Sequence, residues 1–183
     1  LDGRFSLSML KDTVAAHPQV RAIEIKLSQG AKPGVGGVLP KHKISREIAR
    51  IRHIPMDRDC LSPAAHTAFR DHDSLLDFVE RIAAETGLPV GIKSAVGQID
   101  FWQDLARAMA SDRGVGPDFI TIDGGEGGTG AAPFTFADHV SLPFRTAALP
   151  VVPTGVYAGA LALAAGSAPP GPFTGSSRVR HAR

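Results

Sequence analysis

Three segments of the 183-residue chain, Ala22 to Ser28, Val90 to Ala95 and Phe119 to Asp123, read as strands, and helix-length stretches rather than two-residue turns separate them. Strands joined by such crossovers lie parallel, which constrains the chain to β-α units on a parallel sheet. Because side chains alternate across a strand, Ile23, Ile25 and Leu27 share one face of the first and Glu24 and Lys26 the other. The layout repeats, with Lys93 opposite Val90 and Ile92, and Asp123 opposite Ile120 and Ile122. Charge on one face of a strand that is apolar on the other needs a use. In an eight-stranded β/α barrel the outer strand face packs on helices, while the inner face near the strand's C-terminal end lines a polar active site. The expected fold class is therefore α/β, a partial parallel TIM-like barrel, since three legible units fall short of the eight strands and roughly 250 residues of a closed one.

Helices fit between and before these strands. Leu7, Leu10 and Val14 recur at helical spacing, and the run stops near His17-Pro18, where proline disfavours the helical region for the residue before it. Ser45 is placed to cap Arg46 to Arg52, Asp73 to cap Ser74 to Thr86 with Gly87 closing it, and a third helix runs from Phe101 to Asp112 and stops near Gly114. From Thr146 to Ser177 there is no charged residue, and the chain closes on a basic Arg178 to Arg183. A segment of Pro, Gly, Ala, Ser and Thr buries too little apolar area to offset its ordering entropy. The expected division is a partial barrel over 1–147 and a low-complexity, disordered or irregular tail over 148–183.

Composition removes several function classes. Twenty basic and 18 acidic residues are spread along the chain without a basic stripe, which argues against nucleic acid as a partner. Cys60, the single cysteine, excludes an internal disulfide and the several-thiolate ligand set of an iron–sulfur cluster, and suits a reducing cytoplasm. His17, His42, His53, His66, His72, His139 and His181 lack the tight pairing of common zinc sites, so no metal is expected. There is neither a nucleophile elbow nor a P-loop. The opening Leu1-Asp2-Gly3-Arg4 has no basic segment followed by an apolar run, so no secretory signal is read, and the lack of an initial Met points to a beginning upstream. Pro150 and Pro153 interrupt the weakly polar stretch Leu149 to Ala165, so no membrane span is expected either.

Each charged strand runs into a loop where barrel enzymes place catalysis. The first, Lys26 through Pro40, is glycine-rich and carries Lys32, so it can be an anion-binding loop or a flexible basic surface loop. The second, Asp123 through Pro133, holds five glycines in the seven positions from Gly124 to Gly130. That density fits a flat ligand or a close approach of backbones. Lys93, alone on its strand face, fits either a ligand-facing ammonium or a salt bridge to Glu24 or Asp123.

The run Ile23-Glu24-Ile25-Lys26-Leu27-Ser28-Gln29-Gly30-Ala31-Lys32-Pro33-Gly34, continued through Gly36-Gly37 to Leu39-Pro40 and His42-Lys43, resembles the flavin-binding domain of glutamate synthases. Asp123 through Pro133, with His139, Leu142 and Pro143, is similar to it as well, and the resemblance spans about residues 4 to 149. It implies an FMN-binding barrel of glutamate biosynthesis, an oxidoreductase in which 2-oxoglutarate and ammonia, or glutamine-derived nitrogen, form an imine that reduced flavin converts to glutamate by hydride transfer. It also implies an electron-donor protein or subunit as partner. Lys32 and Arg52 match family positions that contact the 2-oxoglutarate carboxylates, a role to which the two-pronged guanidinium is suited. Lys93 matches the catalytic lysine at the flavin ring, where an ammonium can stabilise charge at the N1–C2 carbonyl edge. Asp123, Gly124, Gly125, Gly127 and Gly128 match the loop beside the cofactor.

There are departures from the pattern. Members with a glutaminase domain carry glutamine where this chain has Val38, glutamate where it has Val35, and a three-cysteine motif beyond the glycine loop that has no counterpart here. The resemblance is therefore to the smaller, glutaminase-free branch. Val38 cannot hydrogen-bond a keto acid, which opens the alternative of an FMN barrel acting on a different keto acid. A non-catalytic half-barrel that needs a partner is the other alternative. The loss of resemblance near Thr146 has a shifted reading frame in a GC-rich gene as one account.

Overall fold

A computed structural model describes residues 4–31, 37–111, 114–127, 134–151 and 160–162. In chain order the elements are α1 (Leu7–Ala16), β1 (Ile23–Lys26), β2 (Val38–Leu39), a 3-10 turn (Lys41–Lys43), α2 (Arg46–Arg52), β3 (Cys60–Leu61), α3 (His72–Thr86), β4 (Val90–Ala95), α4 (Ile99–Met109), β5 (Phe119–Asp123), α5 (Phe134–His139), α6 (Phe144–Val151) and β6 (Ala160–Ala162). The three expected strands are present and parallel, in the order β1-β4-β5, and the short β6 pairs parallel with the far side of β5. Register sets Glu24 level with Gly91 and Phe119, Lys26 level with Lys93 and Thr121, and Ala95 level with Asp123. The described residues thus form a mixed α/β fold on a parallel sheet.

The alternation read from the sequence decides which face is covered. Ile25, Val90, Ile92, Ile120 and Ile122 are buried against Leu75, Leu76, Val79 and Ile82 of α3 and Trp102 and Leu105 of α4. Trp102 is 1% exposed and supplies the bulkiest fully buried side chain of that cluster. Among the described residues no helix is long and apolar enough to cross a membrane.

Helix ends follow local chemistry. Ser45 caps α2 as expected, its hydroxyl accepting from the Ile48 amide. Gly87 closes α3 in the left-handed conformation, at φ 68°. The cap of α3, however, is Asp71 and not Asp73: Asp71 has extended backbone and its carboxylate accepts the Ser74 N–H at 2.8 Å, while the Ser74 hydroxyl accepts from the Asp71 amide. Asp73 lies inside the first turn. The helix expected over Phe101 to Asp112 starts two residues earlier, at Ile99, and ends at Met109, with Ala110 as its cap.

Between β1 and α3 the chain makes an excursion that the sequence reading left without strands. β2 and β3 pair antiparallel there, Val38 opposite Leu61. The division at 147/148 falls inside α6, whose Ala147 is fully buried in the core, and β6 lies within the stretch read as tail. The rest of that stretch, 152–159 and 163–183, lies outside the described residues.

Candidate functional site

The face of the sheet turned away from α3 and α4 carries the charged side chains in rows set by the register. In the first row a Cβ on Gly91 would stand 2.3 Å from the Phe119 ring, so β4 needs glycine where that ring lies across it. Glu24 reaches past this strand to β5, where its Oε2 accepts the Thr121 hydroxyl proton at 2.6 Å. In the second row, Lys93 extends toward the C-terminal end of β5, and its Nζ lies 3.5 Å from Asp123 Oδ2. The side chains of this pair are 29% and 27% exposed, so the ammonium and the carboxylate are both reachable from solvent. Of the two salt-bridge partners read for Lys93, the structure selects Asp123.

Both glycine loops converge on this end of the sheet. Asp123 Oδ2 also accepts the Gly30 N–H at 3.1 Å. A Cβ on Gly30 would fall 1.7 Å from the Gly124 carbonyl oxygen, so the loop after β1 and the loop after β5 touch backbone to backbone. On the other side Gly125 donates to the Leu142 carbonyl at 2.9 Å, and Leu142 donates to Val96, just past β4. A Cβ on Gly125 would meet the Ser141 carbonyl at 2.8 Å, and one on Gly124 the Phe144 nitrogen at 2.6 Å. Glu126 then holds the start of α6, both its carboxylate oxygens accepting the Phe144 N–H at 2.8 and 2.9 Å. Of the two uses read for these glycines, close backbone approach accounts for Gly30, Gly124 and Gly125; Gly127 is required by its φ of +82°.

Two serines join β4 to the loop after β1. Ser28 Oγ and Ser94 Oγ are 3.0 Å apart, the Ala95 amide donates to Ser28 Oγ at 2.8 Å, and the Ser94 hydroxyl donates to the Ala95 carbonyl at 2.9 Å. On the outer edge of β1, His66 Nε2 donates to the Lys26 carbonyl at 2.8 Å, and Lys26 Nζ donates to Gln29.

Of the residues singled out from the sequence, Lys93, Asp123 and Gly124 come together, with Gly125 and Gly127 in the same loop. Arg52 is exposed at the end of α2 and takes no part in these contacts. Lys32 and Gly128 lie outside the described residues, as does Val35, while Val38 is exposed on β2. The reading missed Glu24 with Thr121, although alternation already put Thr121 on the face of Asp123, and it missed the joint between Glu126 and α6.

A ligand approaching this face would meet two ammonium groups, Lys26, which donates to Gln29, and Lys93, held only by a 3.5 Å ion pair among the described residues and therefore with N–H donors left to give. That donor chemistry fits the electron-rich carbonyl edge of a flavin. Among the described residues no group of three His, Cys, Asp or Glu side chains could hold a metal ion.

Comparison with known proteins matches residues 3–161 to a family described as "Conserved region in glutamate synthase". The glutamate synthase large subunit-like protein YerD of Bacillus subtilis is 43% identical over 136 residues, which cover 74% of this chain and 25% of that protein. The archaeal-type glutamate synthase (NADPH) of Thermotoga maritima is 41% identical over 128 residues, 69% of this chain and 24% of its own length. The archaeal glutamate synthase (NADPH) of Methanocaldococcus jannaschii is 38% identical over 126 residues, again 69% and 24%. The matched stretches span about a quarter of the curated relatives, and the family match continues past residue 147.

Proposed function

The chain belongs to the glutamate synthase family, and on that premise we propose that it contributes to an oxidoreductase making L-glutamate from 2-oxoglutarate and ammonia or glutamine-derived nitrogen. The sheet is read as part of a parallel β/α barrel of the FMN-binding type, in the glutaminase-free branch, working in the cytoplasm with an electron-donor protein or subunit. FMN, when bound, supplies the hydride that reduces the imine of 2-oxoglutarate. The chain's own residues do the rest. Lys93 places an ammonium at the end of β4, where it can stabilise negative charge on a reduced ring. Lys32 and Arg52 grip the two carboxylates of the keto acid, and the loop from Asp123 through Gly128 borders the cofactor.

The observation that supports this reading most is the half-buried, loosely paired Lys93 ammonium, still reachable from solvent, where both glycine loops meet. The test is titration of FMN into the purified full chain, followed by quenching of flavin fluorescence, for the wild type and Lys93→Ala. Saturable quenching that Lys93→Ala weakens about tenfold or more, the scale of a lost charge-assisted hydrogen bond, is expected. No quenching by the wild type, or equal affinity for both, overturns the reading.

Two features favour other readings. On its outer side β1 meets no strand among the described residues, which fits a half-barrel completed by a partner. Concentration-dependent association in sedimentation, without flavin binding, would select it. Val38 stands opposite Leu61, 44% and 69% exposed, and this apolar pair fits a keto acid other than 2-oxoglutarate. Tighter capture of an aliphatic 2-oxo acid than of 2-oxoglutarate by the FMN-loaded chain would select that one.

A further inference from the structure

One oxygen atom on the polar face gathers two distant parts of the chain. Asp123 Oδ2 accepts the Gly30 amide proton at 3.1 Å and stands 3.5 Å from Lys93 Nζ. Gly30 belongs to the loop after β1, Lys93 to β4 and Asp123 to β5. We infer that Asp123 is a positioning residue, whose carboxylate fixes the Gly30 loop and aims Lys93 through a single oxygen and does not itself contact the cofactor that the loop borders. The inference rests on the flavin reading above.

The register supplies the first reason. Lys93 is level with Thr121, whereas Asp123 is level with Ala95, so the ammonium reaches Asp123 by leaning toward the C-terminal end of the sheet. Without the carboxylate, a long side chain 29% exposed spreads over its rotamers, and the entropy of holding it returns as a cost of binding. The second reason is that Gly30 is pressed against the same stretch of backbone. A Cβ there would stand 2.8 Å from the Asp123 carbonyl oxygen and 1.7 Å from that of Gly124. The Asp123 carboxylate thus takes the Gly30 amide at the point of contact, and holds the loop whose sequence leads into Lys32.

Asparagine and alanine separate the two roles, because the amide oxygen of Asn still accepts from Gly30 but carries no charge for Lys93. In the flavin-free full chain, Asp123→Ala should speed hydrogen exchange of the Gly30 amide about tenfold, the scale of a lost hydrogen bond to a charged acceptor, while Asp123→Asn leaves it within about twofold. With FMN bound, Asp123→Asn should shift the flavin midpoint potential downward, because an ammonium no longer aimed stabilises the reduced ring less, and in a Lys93→Met background the same substitution should shift it by less than half as much. Circular dichroism of each variant confirms that it folds, and the Asn variant carries the test where Ala does not. Unchanged Gly30 exchange in Asp123→Ala overturns the tie. A potential shift of equal size with and without Lys93 makes Asp123 a direct neighbour of the flavin and overturns the positioning role. A wild-type chain that binds no FMN removes the flavin reading, and Gly30 exchange still decides whether Asp123 holds the loop.

Discussion

The two faces of the parallel sheet use the same three strands in opposite ways. On one, Ile25, Val90, Ile92, Ile120 and Ile122 lie under α3 and α4 with almost no exposed area, and non-directional burial holds them. On the other, Glu24, Thr121, Lys93 and Asp123 hold one another through a few aimed contacts of 2.6 to 3.5 Å, and the last two stay open to solvent. Stability is thereby separated from chemistry. The covered face can lose little without loss of the fold, whereas the open face can exchange charges at small cost to it.

That contrast orders the expected effects. Trp102→Ala should cost about 3–5 kcal/mol in denaturant unfolding of the full chain, the range for deleting a large buried aromatic. A cost below about 1 kcal/mol, the scale of an ordinary point substitution, would remove the covered face as the main source of stability. Gly30→Ala should cost about 1–3 kcal/mol, as overpacking does, because its Cβ would meet backbone and not a side chain that can swing away. It should also weaken FMN; if stability and FMN affinity are both unchanged, the two loops do not depend on touching. Thr121→Val, which removes the donor to Glu24, should cost about 1–2 kcal/mol; a smaller loss in Glu24→Gln, which keeps a neutral acceptor, would locate the effect in the hydrogen bond, and an equal loss would locate it in the charge. Lys93→Met should change unfolding by less than about 0.5 kcal/mol, since a part-exposed ion pair of 3.5 Å contributes little, while its effect on flavin is large. A large loss of stability there would place Lys93 with the framework instead.

The smallest effect concerns pH and lies away from both faces. The hydrogen bonds from Ser74 hold the Asp71 carboxyl below its ordinary 3.8, and Lys11 holds Glu85 below its ordinary 4.5. Groups lowered in the folded state add stability that is present above their ordinary values and is lost as the pH falls through the lowered ones. Unfolding midpoints measured downward from pH 5 should therefore show an acid-side loss that Asp71→Asn and Glu85→Gln reduce. An unchanged slope in both variants would remove these two contacts as its cause.

What could be read from the sequence was what repeats locally. Ile23, Ile25, Val90, Ile92, Ile120 and Ile122 declare their strands by alternation, and Ser45 declares α2 by its place before the run. β2 and β3 were not legible because two residues carry no period. Asp71 and Asp73 both precede the same apolar run, and only the extended backbone at Asp71 decides between them. The composition from Thr146 onward concealed α6, because beyond that point its buried contribution to the core among the described residues is the small side chain of Ala147, while its large one, Phe144, comes before it. At the site, alternation gave Lys93 and Asp123 their face. Their partners depended on distance in the chain: Gly30 finds Asp123 from 93 positions away, and Glu126 finds Phe144 from 18. The glycines were visible, but the backbones they admit were not.

The pair Ser28 and Ser94 has a consequence for reactivity. Ser94 gives its only hydroxyl hydrogen to the Ala95 carbonyl, and Ser28 Oγ already receives the Ala95 amide. The 3.0 Å contact between the two hydroxyls can therefore run only from Ser28 to Ser94. The hydrogens form a one-way circuit with none left over, so neither hydroxyl, although both lie beside the charged end of the sheet, can donate to an incoming substrate without first opening the joint between β4 and the loop after β1.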